Sequence, residues 1–72
     1  MAGDYYEKRA EVLIALDKLT PNNPNVQLQV ALCFSRLKRC SDAKIWLQRF
    51  KGFRNFNSIQ MKELNEVEQN CH

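Results

Sequence analysis

A chain of 72 residues can form one domain at most, and a core of that size leaves only a marginal surplus over chain entropy. Hydrophobic residues make up 44% and charged residues 26%, with two glycines and two prolines, which excludes a disordered tail and favours a helical globule. The net charge of +3 conceals a basic middle segment, because seven lysines and arginines and one acid lie between Arg36 and Arg54.

The sequence has no apolar run of about 18 to 20 residues, the length of a membrane span, and its start lacks the pattern of a signal peptide. We therefore expect a cytoplasmic chain with no membrane contact. Three cysteines fit a reducing compartment better than a disulfide scaffold. Cys33 is expected to be a small buried hydrophobe and Cys40 an incidental thiol, with a reactive thiol as the alternative. Cys71 is expected to lie in a frayed end.

Helix 1 is predicted over residues 5–19. Asp4, followed three residues later by Glu7, is typical of a helix start, and Thr20 before Pro21 is typical of a stop. The apolar residues form two adjacent rows that together make one stripe. The first row contains Tyr6, Ala10 and Leu13, and the second contains Tyr5, Val12, Leu16 and Leu19.

Helix 2 is predicted over residues 24–37, with Asn23 as its N-cap and Pro24 at the first helical position. One side carries Val26, Val30, Phe34 and Leu37, with Ala31 beside them. Leu28 and Leu32 point roughly opposite to Val30 at about 100° per residue. A helix that is apolar on two sides either packs on both or offers one of them to a partner.

Two further helices follow. Helix 3 is predicted over 42–51, capped by Ser41 or Asp42 and ended by Gly52 in a left-handed conformation. Helix 4 is predicted over 58–69, capped by Asn57 with Gln60 three residues on, and its thin apolar stripe suggests a lid over a core. The expected fold is all-α, a single domain built as an antiparallel helix-hairpin array of about four helices.

The residues from Tyr6 to Asn55 resemble a tetratricopeptide repeat. The family pattern W-x2-L-G-x2-Y and A-x3-F is met here by Gln27-x2-Val30-Ala31-x2-Phe34 and by Ala43-x3-Leu47. Gln27 replaces the tryptophan, Ala31 the glycine and Asn55 the closing proline. The match covers one full unit and the second helix of a preceding one.

The resemblance implies a protein-interaction module. The family's inner surface comes mainly from the first helix of each unit, which here places the partner site at Asn25, Leu28, Leu32, Ser35 and Arg36. Leu28 and Leu32 favour an apolar groove for a partner helix or extended segment, rather than the clamp for acidic tails found in part of the family. Repeats of this kind need stacking, so the chain is expected to belong to a larger protein or a hetero-oligomer, as small chaperones of this type do.

A nucleic-acid-binding domain is the alternative. The basic middle segment interleaves aromatic residues, and its candidate contacts are Lys44, Arg49, Lys51 and Arg54. A helix-turn-helix would present the helix "DAKIWLQRFK" to DNA, although the turn "KRCSD" lacks the glycine often found there. We prefer the interpretation in which the aromatics are core and the charges are solvated.

No enzyme, cofactor or metal site is predicted. The single histidine, His72, is terminal, and no spacing supplies two further ligands beside Cys71. The sequence also contains no phosphate-binding loop, serine elbow or carboxylate pair.

Overall fold

The computed structural model describes residues 2–53 and 55–71, and this part of the chain contains four helices and no strand. The helices are α1 (Ala2–Leu19), α2 (Pro24–Arg36), α3 (Cys40–Lys51) and α4 (Ser58–Asn70). The predicted all-α class is confirmed. None of these helices is both long and apolar enough to cross a bilayer.

Two predicted helix starts are confirmed by their capping bonds. Asn23 Oδ1 accepts a hydrogen bond from the Asn25 N–H at 3.0 Å, and Pro24 takes the first helical position. At α4, Asn57 Oδ1 accepts from the Gln60 N–H at 2.7 Å while Gln60 Oε1 accepts from the Asn57 N–H at 3.0 Å. Each cap satisfies amides that the first turn leaves without intrahelical partners.

Three predictions about where helices begin or end are wrong. Asp4 lies inside the first turn of α1, because that helix begins at Ala2. Neither Ser41 nor Asp42 caps α3, which begins at Cys40 directly after Arg39, whose side chain makes no capping bond. Gly52 is right-handed, with φ −67° and ψ −20°. The left-handed residue lies instead before α3, at Lys38 in the turn that follows α2.

Lys38 closes α2 in a Schellman motif with φ 62°. Its N–H donates to Ser35 O at 3.1 Å, and the Arg39 N–H donates to Phe34 O at 2.9 Å. These are the paired bonds that satisfy carbonyls at a helix end, in a conformation that usually requires glycine. Because the chain reverses within residues 37–39, α3 starts at once and needs no polar cap before it.

α2 is the central helix and packs against α1, α3 and α4. Short connections of four and three residues make α1 and α3 antiparallel to it, and Tyr6 near the start of α1 meets Arg36 at the end of α2. α4 runs parallel to α2, since Gln60 bonds Asn25 while Asn70 bonds Ser35. Nine of the 13 residues of α2 are buried.

The core forms where the other helices meet α2. Ala31 of α2 and Ala43 of α3 are fully buried, which is consistent with a close approach of these two helices. Phe50 at the end of α3 stacks on Phe56, with ring centroids 4.6 Å apart. The buried Asp17 of α1 accepts a hydrogen bond from Arg49 of α3 at 3.2 Å, so a charged pair links α1 to α3.

We expect the Lys38→Gly substitution to raise the free energy of unfolding by about 0.5–1 kcal/mol, because glycine adopts φ 62° without steric cost. Lys44→Gly is the matched control, since Lys44 is an exposed lysine inside α3. That change should lower the free energy of unfolding by about 1 kcal/mol. Urea denaturation measures both, and equal destabilisation by the two would contradict the motif.

Candidate functional site

The side of α2 predicted to bind a partner is covered by the chain's own α4. Asn25 Oδ1 accepts from Gln60 Nε2 at 2.7 Å, and Asn70 Nδ2 donates to Ser35 Oγ at 3.3 Å. Between these ends Gln29 Nε2 donates to Glu63 of α4. α4 therefore lies along the full length of the predicted groove.

Leu28 and Leu32 lie beneath α4, with exposed fractions of 1% and 5%. Both belong to one buried cluster that includes Leu64 and Val67 of α4. In this structure the two leucines are covered and do not form the open groove that was predicted. The physical reason is that α4 carries enough apolar surface at Leu64 and Val67 to cover the two leucines, so a helix of the same chain fills the groove.

Arg36, predicted at the rim of that groove, joins three helices. Its guanidinium donates to Glu66 of α4 at 2.8 Å and to the Tyr6 hydroxyl of α1 at 3.1 Å, and it lies 5.2 Å from the Tyr6 ring centroid. The hydrogen bond to Glu66 raises the pKa of Arg36, against the opposing effect of partial burial. This rim residue is thus occupied by intramolecular contacts.

An open apolar surface lies instead on α1. Tyr5, Val12, Leu16 and Leu19 form the α1 stripe, with exposed fractions of 59%, 67%, 42% and 80%. The other predicted row of α1 faces the core, where Ala10 is buried and Tyr6 and Leu13 pack against the cluster. The two rows predicted to make one stripe are therefore separated, because the core covers the row of Tyr6 and leaves the row of Tyr5 exposed.

The α1 stripe borders a shallow depression of about 320 Å³ on the outer side of the helix. Tyr5, Val12 and Leu13 give it apolar walls, and Lys8 and Arg9 give it positive charge. The signal for this surface was in the sequence, because the rows of Tyr5 and Tyr6 lie about 100° apart on a helix. A single neighbouring helix covers only one such row well.

Two of the four basic residues predicted for nucleic acid form ion pairs with acids of the same chain. Arg49 pairs with Asp17 and lies 4.6 Å from the Trp46 ring centroid, and Lys51 pairs with Glu68 at 3.2 Å. Lys44 is exposed, and Arg54 lies outside the described residues. The chain's own acids thus neutralise two of these predicted contacts.

The three cysteines differ from expectation in one respect. Cys33 is buried as predicted, and burial raises the pKa of its thiol above the ordinary value, opposed by the charges of Arg9 and Arg36. Cys40 and Cys71 are joined in a disulfide, with Cα atoms 5.3 Å apart. The expectation of two unrelated thiols is wrong, because α4 returns its end to the start of α3 across 31 positions of sequence.

Metal ligands do not cluster in this part of the chain. Across residues 2–53 and 55–71, no group of three or more His, Cys, Asp or Glu side chains could hold an ion. His72 lies outside those ranges.

Comparisons with known proteins found no match to this chain. No protein-family model matches the chain, and neither the curated proteins nor the solved structures contain a significant match. The function must therefore be argued from the chain's own surfaces.

We expect Leu32→Ala to lower the free energy of unfolding by about 2–5 kcal/mol, because it opens a cavity between α2 and α4. The control is Leu19→Ala, which removes the same atoms from a side chain that is 80% exposed and should change stability by less than about 0.5 kcal/mol. Denaturant titration followed by circular dichroism compares the two. Similar losses in both variants would contradict the burial of Leu32 by α4.

Proposed function

We propose that the chain is a protein-interaction module that binds a partner helix on the α1 stripe. The observation that carries this proposal is the row of four large apolar side chains on one side of an 18-residue helix whose other side is in the core. Such a row, rather than scattered apolar residues, is typical of a binding surface. Its spacing over about four helical turns matches the anchors of a helix laid in a groove.

The charge beside the α1 stripe indicates the chemistry of the partner. Lys8 and Arg9 line the same depression as Tyr5 and Val12, so acidic side chains next to apolar ones would be complementary. We therefore specify an amphipathic helix with acidic flanks. Complete burial contributes about 1.5–3 kcal/mol for each large apolar side chain, before the costs of association.

The tetratricopeptide resemblance supports the same class of function. Repeats in that family bury their apolar faces by stacking on neighbouring helices, and α1 corresponds to the second helix of an incomplete unit. A hetero-oligomeric, chaperone-like role in which α1 receives a helical subunit is the form of this proposal that the resemblance favours. A nucleic-acid role gains no support from cations already paired at Arg49 and Lys51.

Peptide display tests the proposal with a defined probe. A library of 16-residue helical peptides, panned on the immobilised chain, should yield sequences with apolar residues at helical spacing and flanking Asp or Glu. Binding of the selected peptides should fall at least about tenfold for Val12→Asp or Leu16→Asp, since a charge is placed where apolar contact is needed.

The controls are Ile45→Asp and Ile59→Asp, which alter exposed isoleucines on α3 and α4. These variants should bind the selected peptides as the parent chain does. Peptides that are indifferent to Val12→Asp and Leu16→Asp, or that depend on Ile45 or Ile59, would sink the proposal. Circular dichroism of each variant shows that the fold is retained.

A further inference from the structure

The Cys40–Cys71 disulfide joins the end of α4 to the start of α3. Cys40 is the first residue of α3, and Cys71 immediately follows the last residue of α4. At the opposite end, α4 is held by Gln60, whose side chain bonds both Asn57 and Asn25. The disulfide therefore adds a covalent link at the end of α4 where Asn70 also bonds Ser35.

Apart from the disulfide, α4 is attached through a small apolar contact and several polar ones. Only Gln60, Leu64 and Val67 of its 13 residues are buried, and two ion pairs, Arg36–Glu66 and Lys51–Glu68, lie in partly exposed positions. Exposed pairs of this kind contribute little to stability. Beneath α4 lie Leu28 and Leu32, so the least apolar helix covers an apolar face.

We propose that thiol–disulfide exchange at Cys40–Cys71 releases α4 and opens this face of α2 to a helix from another protein. The occupant would share the chemistry of α4, with apolar residues where Leu64 and Val67 lie and acids where Glu63 and Glu66 meet Gln29 and Arg36. This contact lies on α2 and does not depend on the proposed contact on α1.

The exchange requires a dithiol or two equivalents of a small thiol as reductant. A thiolate attacks one sulfur, the S–S bond breaks, and a mixed disulfide forms while the second sulfur leaves as a thiolate and takes up a proton. A second reductant thiolate then resolves the mixed disulfide, so two electrons and two protons reach Cys40 and Cys71. Cys40 and Cys71 are both partly exposed, and Cys71 lines an open depression of about 360 Å³ between α3 and α4 through which a small thiol can approach.

The size of the effect follows from the length of the loop that the disulfide closes. In the chain-entropy account, closing a loop across 31 positions favours the docked state by a factor on the order of several hundred. A helix from another protein must displace α4 from α2, and the displacement is much harder in the oxidised chain, where the disulfide holds α4 in place, than in the reduced chain.

The experiment uses the full chain in both redox states, oxidised with oxidised glutathione or reduced with a small dithiol, and a fluorescent peptide of residues 57–71 carrying Cys71→Ser. Fluorescence anisotropy should show binding to the reduced chain and binding on the order of 100-fold weaker to the oxidised chain. A peptide that also carries Leu64→Ala and Val67→Ala should bind neither state, because it lacks the apolar anchors.

Cysteine variants distinguish the effect of the Cys40–Cys71 disulfide, called the latch below, from a general effect of reduction. The full chain with Cys40→Ser and Cys71→Ser should bind the peptide under both conditions as the reduced parent does. The Cys33→Ala chain keeps the latch and should retain the redox difference, since Cys33 is the thiol outside it.

Several results would overturn the proposal. One is the detection of three free thiols after treatment with oxidised glutathione, which would mean that the disulfide does not form. The others are equal affinity of the peptide for the two redox states, and no binding of the peptide to the reduced chain. A reduced chain that loses its helical circular dichroism altogether would mean that α4 cannot leave without global unfolding. A reduced chain that dimerises would make a second copy the occupant. Loss of α1 binding in the display experiment, by contrast, leaves this proposal standing.

Discussion

The structure depends on one constraint, which is that α2 is buried around most of its circumference. Nine of its 13 residues are buried, so three other helices are needed to cover it. Each buried large side chain contributes about 1.5–3 kcal/mol only while that cover is complete. In a chain of 72 residues, α1, α3 and α4 are therefore all packed against a single helix.

The same constraint explains the distribution of charge. The basic residues at the end of α2 and along α3 meet acids supplied by α4 and α1, as in the pairs of Arg36 with Glu66 and Arg49 with Asp17. What looks like a basic segment in sequence is therefore partly compensated in space. The partly exposed Arg36–Glu66 pair orients α4 more than it stabilises it, and the burial of Leu28, Leu32, Leu64 and Val67 supplies the larger gain.

Local chemistry made the helices predictable. Asn23 before Pro24, and Asn57 followed by Gln60, carry their capping information within a few residues, and the structure confirms both. Lys38 could not be predicted, because its left-handed conformation is imposed by the tight reversal between α2 and α3 rather than by its own preference. Packing overrides propensity at that position.

Long-range placement made the site unpredictable. Nothing local to Leu28 or Leu32 shows that a helix 30 to 35 positions later will cover them, as the bonds of Arg36 to Glu66 and Asn25 to Gln60 reveal. The pairing of Cys40 with Cys71 depends on the same return of the chain. Periodicity identified two apolar rows on α1, but only the assembled core decides which row remains outside.

The enclosure of α2 also has an evolutionary consequence. Substitutions in a fully packed helix must preserve volume on several sides at once, whereas α4, with three buried residues, leaves most of its positions free to drift. The ancestry of this chain should therefore be recorded mainly in the sizes of the side chains from Val26 to Ser35. Relatives would share that spacing of small and large residues long after their outer helices had diverged.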